Sequence, residues 1–171
     1  MKIRAAFIGC GKRGQLHARG LSKNKQVEIA AFADPIVELA ENLAREIGAG
    51  KAFADTQAML AAVKPEFAVI CTRPQARLAP IRQCVEAGVK AIQCEKPMAM
   101  SWNEALEIHA LCEKAGVQLS FTHQRRFRGD FQKAKQLIDQ GQLGAIERVE
   151  GFCQNMFDWG THLFDLMFFL L

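Results

Sequence analysis

From residue 3 to about residue 121 the chain alternates short apolar runs with longer stretches that are apolar along one side only. The short runs cover residues 3–8, 27–33, 67–72, 89–94 and 117–121. Each is nearly continuous rather than alternating, as expected of strands in a parallel sheet covered on both faces. Between them, helical spacing of apolar residues covers 13–21, 36–47, 56–63, 76–87 and 102–115. The helix ends are marked as well. Asp55 and Ser101 stand at N-cap positions, and Glu104 follows Ser101 by three residues, as in a capping box. Gly48, Gly88 and Gly116 each follow a helix, where a left-handed residue closes the last turn. Strands and helices in alternation mean βαβ units, so the expected class is α/β with a doubly wound parallel sheet.

The pattern breaks after Phe121. The segment THQRRFRGD is polar and basic and reads as a crossover out of the sheet. A helix is expected over 131–140, a strand over 145–154 and a helix over 158–171, which ends on the apolar MFFLL. These three elements do not make a domain. The expectation is a complete domain over 1–121 followed by the incomplete start of an α+β domain over 122–171, with a single strand whose edges lack partners. Such a chain is expected to associate with itself, as a homo-oligomer or through its uncovered apolar end.

Composition narrows the function. Half of the 171 residues are hydrophobic and 23% are charged, enough to bury a core. The net charge of +4 is mild, and no basic run is interleaved with aromatics, which argues against a nucleic-acid partner. Six cysteines lie scattered, without a CxxC pair and mostly inside apolar runs, so they read as small buried hydrophobes rather than metal ligands or disulfides. Met1 leads directly into the first strand, without a signal-like segment, and no apolar run approaches the roughly 18 residues of a membrane span. A cytoplasmic setting with no membrane partner and no metal is expected.

The first strand leads into Gly9-Cys10-Gly11-Lys12-Arg13-Gly14, a GxGxxG at the mouth of a helix. In a dinucleotide site the first glycine makes the tight turn and the second lets the backbone approach the pyrophosphate. The third allows close helix–strand packing, and the helix N-terminus attracts the phosphate charge. Asp34 ends the second strand, 20 positions after Gly14, where a carboxylate accepts from the adenosine ribose hydroxyls. A carboxylate there repels a 2′-phosphate and favours NAD, although Lys12 and Arg13 are placed to neutralise that phosphate and keep NADP open. The domain over 1–121 is therefore expected to bind a dinucleotide.

The stretch Ala91-Ile92-Gln93-Cys94-Glu95-Lys96-Pro97-Met98-Ala99 resembles the Glu-Lys-Pro motif of the glucose–fructose oxidoreductase, inositol dehydrogenase and rhizopine-catabolism family. The resemblance extends along the chain: Arg126-Phe127, Gly144 with Val149, and Asp158-Trp159-Gly160-Thr161-His162-Leu163-Phe164-Asp165 also fit the family. Members usually run to well over 300 residues, so the chain is similar to their N-terminal half. The resemblance implies an NAD(P)-dependent dehydrogenase acting on a CH–OH group of a sugar, cyclitol or derivative, with the 171 residues alone inactive. It implies that Lys96, His162 and Asp158 act at the substrate, and that Thr72, Arg73, Pro74, Arg77, Glu95, Lys96 and Arg126 join the phosphate loop around the cofactor. It also suggests a cis peptide bond before Pro97.

The residue chemistry agrees with those roles. Asp158 and His162 are four apart and share a helix face. Oxidising a secondary alcohol requires a group to take the hydroxyl proton, and histidine suits that task near neutrality. An ammonium such as Lys96 stabilises the developing alkoxide. Asp158 either orients the imidazole or bonds a sugar hydroxyl. Plainer readings stand beside these: Lys96 as a surface lysine, His162 as a satisfied core histidine. His17 is read as packing beside the phosphate loop, His109 and His123 as structural or solvent-facing, and Asp165 as a partner to His162 rather than a catalyst. Two departures from the family stand out. Arg73-Pro74 follows Thr72, with Arg77 where members often have a histidine, and the segment between Val149 and Asp158 is short. The rival readings are a non-catalytic dinucleotide-binding regulatory module and a methyltransferase, and nothing in the latter calls for Glu95-Lys96-Pro97.

Overall fold

The computed structural model describes residues 2–171, which form two compact units, one running to Phe121 and the other from Thr122 to Leu171. In the first, six strands form one sheet: β1 (Ile3–Ile8), β2 (Val27–Ala33), β3 (Lys51–Phe53), β4 (Phe67–Ile70), β5 (Ala91–Glu95) and β6 (Gln118–Thr122). Their order is β3-β2-β1-β4-β5-β6, and the pairs β1–β2, β1–β4, β2–β3 and β4–β5 are parallel. Strand order reverses at β1, which therefore has β2 on one side and β4 on the other. In sheets of this kind the crevice for a ligand opens at the carboxyl ends of the strands at that reversal.

Five helices cover the sheet: α1 (Lys12–Leu21), α2 (Val37–Ile47), α3 (Thr56–Val63), α4 (Leu78–Glu86) and α5 (Trp102–Ala115). The continuous apolar strands are explained by a core on each face. Ala6 and Ile8 of β1 belong with Met59, Leu60, Ile81, Cys84, Ile92 and Ile108. Phe7, between them, belongs with Ala18, Phe32, Ala40, Leu43 and Val69. Successive side chains of one strand thus bury on opposite faces. Phe7 and Phe32 stack with ring centroids 5.4 Å apart.

The caps follow the sequence closely. Asp55 accepts from the Ala58 N–H at 2.7 Å, and Ser101 Oγ from the Glu104 N–H at 3.2 Å. Glu104 reaches back one residue further than in a standard capping box, to the Met100 N–H at 2.8 Å. Gly48, Gly88 and Gly116 all have positive φ. Two differences appear. β3 is only three residues long and begins with a lysine, so no apolar run announces it. The helix expected from residue 76 begins at Leu78, because Pro74–Ala76 forms a 3-10 turn and Arg77 stands at the N-cap.

The second unit contains a 3-10 turn over Gln124–Phe127, α6 (Gly129–Asp139) and α7 (Trp159–Leu170). The strand expected over 145–154 does not form: that segment is irregular. A strand exists as part of a ladder, and apolar spacing without a partner strand does not make one.

Candidate active site

β1 delivers the chain to Gly9, whose N–H donates to Ala33 O at 2.8 Å and whose φ is +92°. The three glycines of the loop answer to different constraints. A Cβ on Gly9 would lie 2.9 Å from the Cys71 carbonyl carbon, and one on Gly14 would lie 2.1 Å from Gly9 O. Both positions are required by the protein's own packing. A Cβ on Gly11 would meet nothing within 4 Å. Gly11 is the N-cap of α1, in an extended conformation open to any residue, with φ −69°. Nothing within the fold demands a glycine there, while a pyrophosphate approaching the helix mouth would.

Asp34 is set rigidly beside this loop. Its Oδ2 accepts from the Cys10 N–H at 2.8 Å and its Oδ1 from the Ile36 N–H at 2.9 Å. Each oxygen uses one lone pair on these bonds, and a carboxylate oxygen has another for a hydroxyl. Lys12 and Arg13 are exposed at the start of α1. Burial, with Asp34 adding to it, pushes the Cys10 thiol up to about 12, and burial pushes Cys71, Cys84 and Cys94 up to about 12 likewise. These cysteines stay protonated and serve as packing groups. The loop, its helix mouth and Asp34 together fit a dinucleotide.

Beyond β4 and β5 lie the other expected residues. Glu95, only 5% exposed, takes a hydrogen bond of 2.7 Å from His17 Nε2. Burial alone would raise its carboxyl, but the bond from His17 and the charges of Arg13, His17 and Lys96 outweigh that and hold it below its ordinary value. Glu95 thus ties the end of β5 to α1, 78 residues away in sequence. The Lys96–Pro97 peptide bond is cis. Arg77 does not face solvent at the cofactor loops: it is 1% exposed, and its guanidinium donates to the carbonyls of Thr72, at 2.7 Å, and Pro97. Arg73 is exposed, and Pro74 opens the 3-10 turn.

In the second unit Asn155, unremarked in the sequence, caps α7, its Oδ1 accepting from the N–H groups of Asp158 at 2.7 Å and Trp159 at 3.3 Å. His162 sits in α7 and is 5% exposed. The His123 ring stands edge-on to it, with centroids 5.7 Å apart and planes at 85°. His123 is therefore structural rather than solvent-facing. Its Nδ1 lies 3.9 Å from Asp165 Oδ1. Asp165 in turn accepts a fork from Arg126, through Nε at 3.1 Å and through Nη2. Arg126, expected at the cofactor, commits two of its three nitrogens to this pair. Asp158 is exposed at the helix start.

Three groups are therefore assembled: the glycine loop with Asp34, the Thr72, Arg77 and Pro97 cluster beside the Glu95–His17 pair, and the His123, His162, Asp165 and Arg126 cluster. No group of three or more His, Cys, Asp or Glu side chains among the described residues is arranged to hold a metal, and no described helix is long and apolar enough to cross a membrane.

Residues 3–123 match the model of the family described as "Oxidoreductase family, NAD-binding Rossmann fold". D-glucoside 3-dehydrogenase of Escherichia coli is 32% identical over 84% of this chain and 41% of its own length. The rhizopine catabolism protein MocA of Rhizobium meliloti is 30% identical over 97% of this chain and 56% of its own. The crystal structure of myo-inositol 2-dehydrogenase from Lactobacillus plantarum superposes with a TM-score of 0.79 at 25% identity, covering 85% of this chain and 43% of that one. The chain spans about half the length of these relatives. A match over most of its length, on a doubly wound sheet with an intact glycine loop, means that the chain belongs to the glucose–fructose oxidoreductase, inositol dehydrogenase and MocA family of oxidoreductases with an NAD-binding Rossmann fold.

Proposed function

We propose that the chain provides the dinucleotide site of an enzyme that moves a hydride between a CH–OH group of a sugar, cyclitol or derivative and a nicotinamide, with NAD preferred to NADP. The observation that carries the cofactor reading is the open face of Gly11 between two glycines that packing requires. The substrate class rests on relatives named for a glucoside and an inositol. When bound, the nicotinamide supplies the hydride acceptor. The chain's own residues do the rest. The α1 mouth and Gly11 hold the pyrophosphate, and Asp34 accepts from the adenosine ribose. With the pyrophosphate over β1 and adenosine on the β2 side, the other nucleoside falls on the side of β4 and β5, near Thr72, Arg73 and Pro74. Lys96 places its ammonium against the alkoxide as it forms, and His162 takes the hydroxyl proton. Asp158 bonds a substrate hydroxyl. Arg126, which holds Asp165 beside His123, takes part in binding the cofactor.

The domain division is part of the same proposal: 1–121 binds the dinucleotide and 122–171 begins the substrate domain. The 171 residues alone are expected to bind NAD without turning over substrate. A cytoplasmic setting accords with six cysteines that are all free thiols.

The test is Gly11→Val. Its side chain meets no protein atom, so the chain should still fold, losing only the preference of an N-cap for glycine over valine, while the thermal shift given by NAD disappears. Retained NAD binding would overturn the loop assignment. In the wild type NAD should shift melting more than NADP does, and the reverse order would mean that Lys12 and Arg13 outweigh Asp34. In a protein extended to the length of its relatives, His162→Ala and Lys96→Ala should each lower kcat by roughly 10²–10⁴-fold, far more than they weaken NAD binding. Near-normal turnover in His162→Ala would move the proton acceptor elsewhere.

A further inference from the structure

Arg77 is the largest side chain fully shielded from solvent, and local physics does not favour a cation there. It precedes α4, where the helix dipole opposes positive charge. Among the described residues no carboxylate pairs with it, and its buried Nε makes no hydrogen bond. Burying a guanidinium on such terms is costly, and a neutral side chain would fill the space more cheaply. What only arginine supplies is a rigid fork. Nη2 holds the carbonyl of Thr72, two residues beyond the end of β4, and Nη1 holds the carbonyl of Pro97, two residues beyond the end of β5. The fork therefore joins the loops that follow two neighbouring strands. The second loop is anchored on its other side as well, since Glu95 is bound to His17. Lys96 lies between those two anchors.

We infer that Arg77 is a positioning residue, which sets Lys96 and the Thr72–Pro74 backbone for the nicotinamide half of the dinucleotide by bridging the two loops. This rests on the proposed dinucleotide site but concerns a different half of the ligand from Gly11 and Asp34. The two halves can be tested apart. Binding of NAD and of ADP, which lacks the nicotinamide nucleoside, is measured by calorimetry on the wild-type chain, Arg77→Met and Arg77→Lys. Arg77→Met removes both donors at similar length, while Arg77→Lys keeps the charge and loses the fork. Both should weaken NAD roughly tenfold and leave ADP within about twofold. A purely structural role would weaken both ligands together or neither, and either result overturns the inference. If Arg77→Met does not fold, Arg77→Lys alone decides, and wild-type NAD affinity in it also counts against the fork. Lys96→Ala combined with Arg77→Met should weaken NAD by less than the product of the single effects, because both act through one loop. Independent effects would show that Arg77 does not work through Lys96. A wild-type chain that binds neither NAD nor ADP brings down the dinucleotide site itself. One that binds both, without the split in the variants, brings down only the role of Arg77.

Discussion

The two units hold their candidate residues in place by different means. Every buried apolar side chain in the described residues, except Leu166, lies at or before Val117. The first unit has a core on each face of its sheet, and its phosphate loop grows directly out of β1, whose last four residues are buried. The second unit leaves Phe152 90%, Phe168 81% and Phe127 77% exposed. Around α7 the structure has the Asn155 bonds to the helix start, the His123 ring edge-on to His162, and the Arg126 fork on Asp165. A binding loop can be built on a core that is stable in its own right. A histidine on a helix with few buried apolar neighbours belongs to the low-stability end of a structure. The difference teaches that the nucleotide site should outlast the histidine cluster under any mild stress.

The contrast breaks most visibly at Gly14. Gly14→Val would press against the Gly9 carbonyl and should abolish cooperative folding of the first unit, seen as loss of the melting transition. A normal melt would mean that α1 can move away from β1. A smaller effect separates the two cores. Ile92→Ala should destabilise the first unit by about 2–5 kcal/mol in urea titration, whereas Leu166→Ala, with few buried neighbours, should leave that transition in place and only speed amide exchange in α7. Equal effects on one shared transition would show the units to be a single cooperative body. Smaller still is the acid response. Glu95 has its folded pKa lowered, so it contributes stability that is fully present above the ordinary carboxylate value and is lost as pH falls through the lower, folded value. Glu95→Gln should therefore flatten the decline of first-unit stability below about pH 4.3. An unchanged acid limb would mean that the His17 pair adds nothing net.

Legibility in the sequence divided along the same line. β1, β2, α3 and α5 have the bounds that hydrophobic spacing predicts, because each buries enough apolar surface to leave a pattern. The glycine loop and Asp34 were readable because their spacing is dictated by the ligand. β3 was not, since three residues beginning with lysine leave no periodicity. Residues 145–154 misled because Ile146, Val149 and Phe152 have apolar character but no ladder to join. The contacts of Arg77, Glu95 and Asp165 were invisible for another reason. They join residues 20, 78 and 39 positions apart, and nothing local in the chain announces that meeting.

The unequal glycines of the phosphate loop have a consequence for descent. Gly9 and Gly14 are guarded by folding itself, so a lineage that loses either loses the protein. Gly11 has no such guard: its replacement passes unnoticed by every process that inspects folding, abundance or solubility, and is seen only by selection for the ligand. A descendant freed from binding the nucleotide should therefore change first at its middle glycine, while the outer two stay fixed. Within the loop, that one position records whether the nucleotide is still in use.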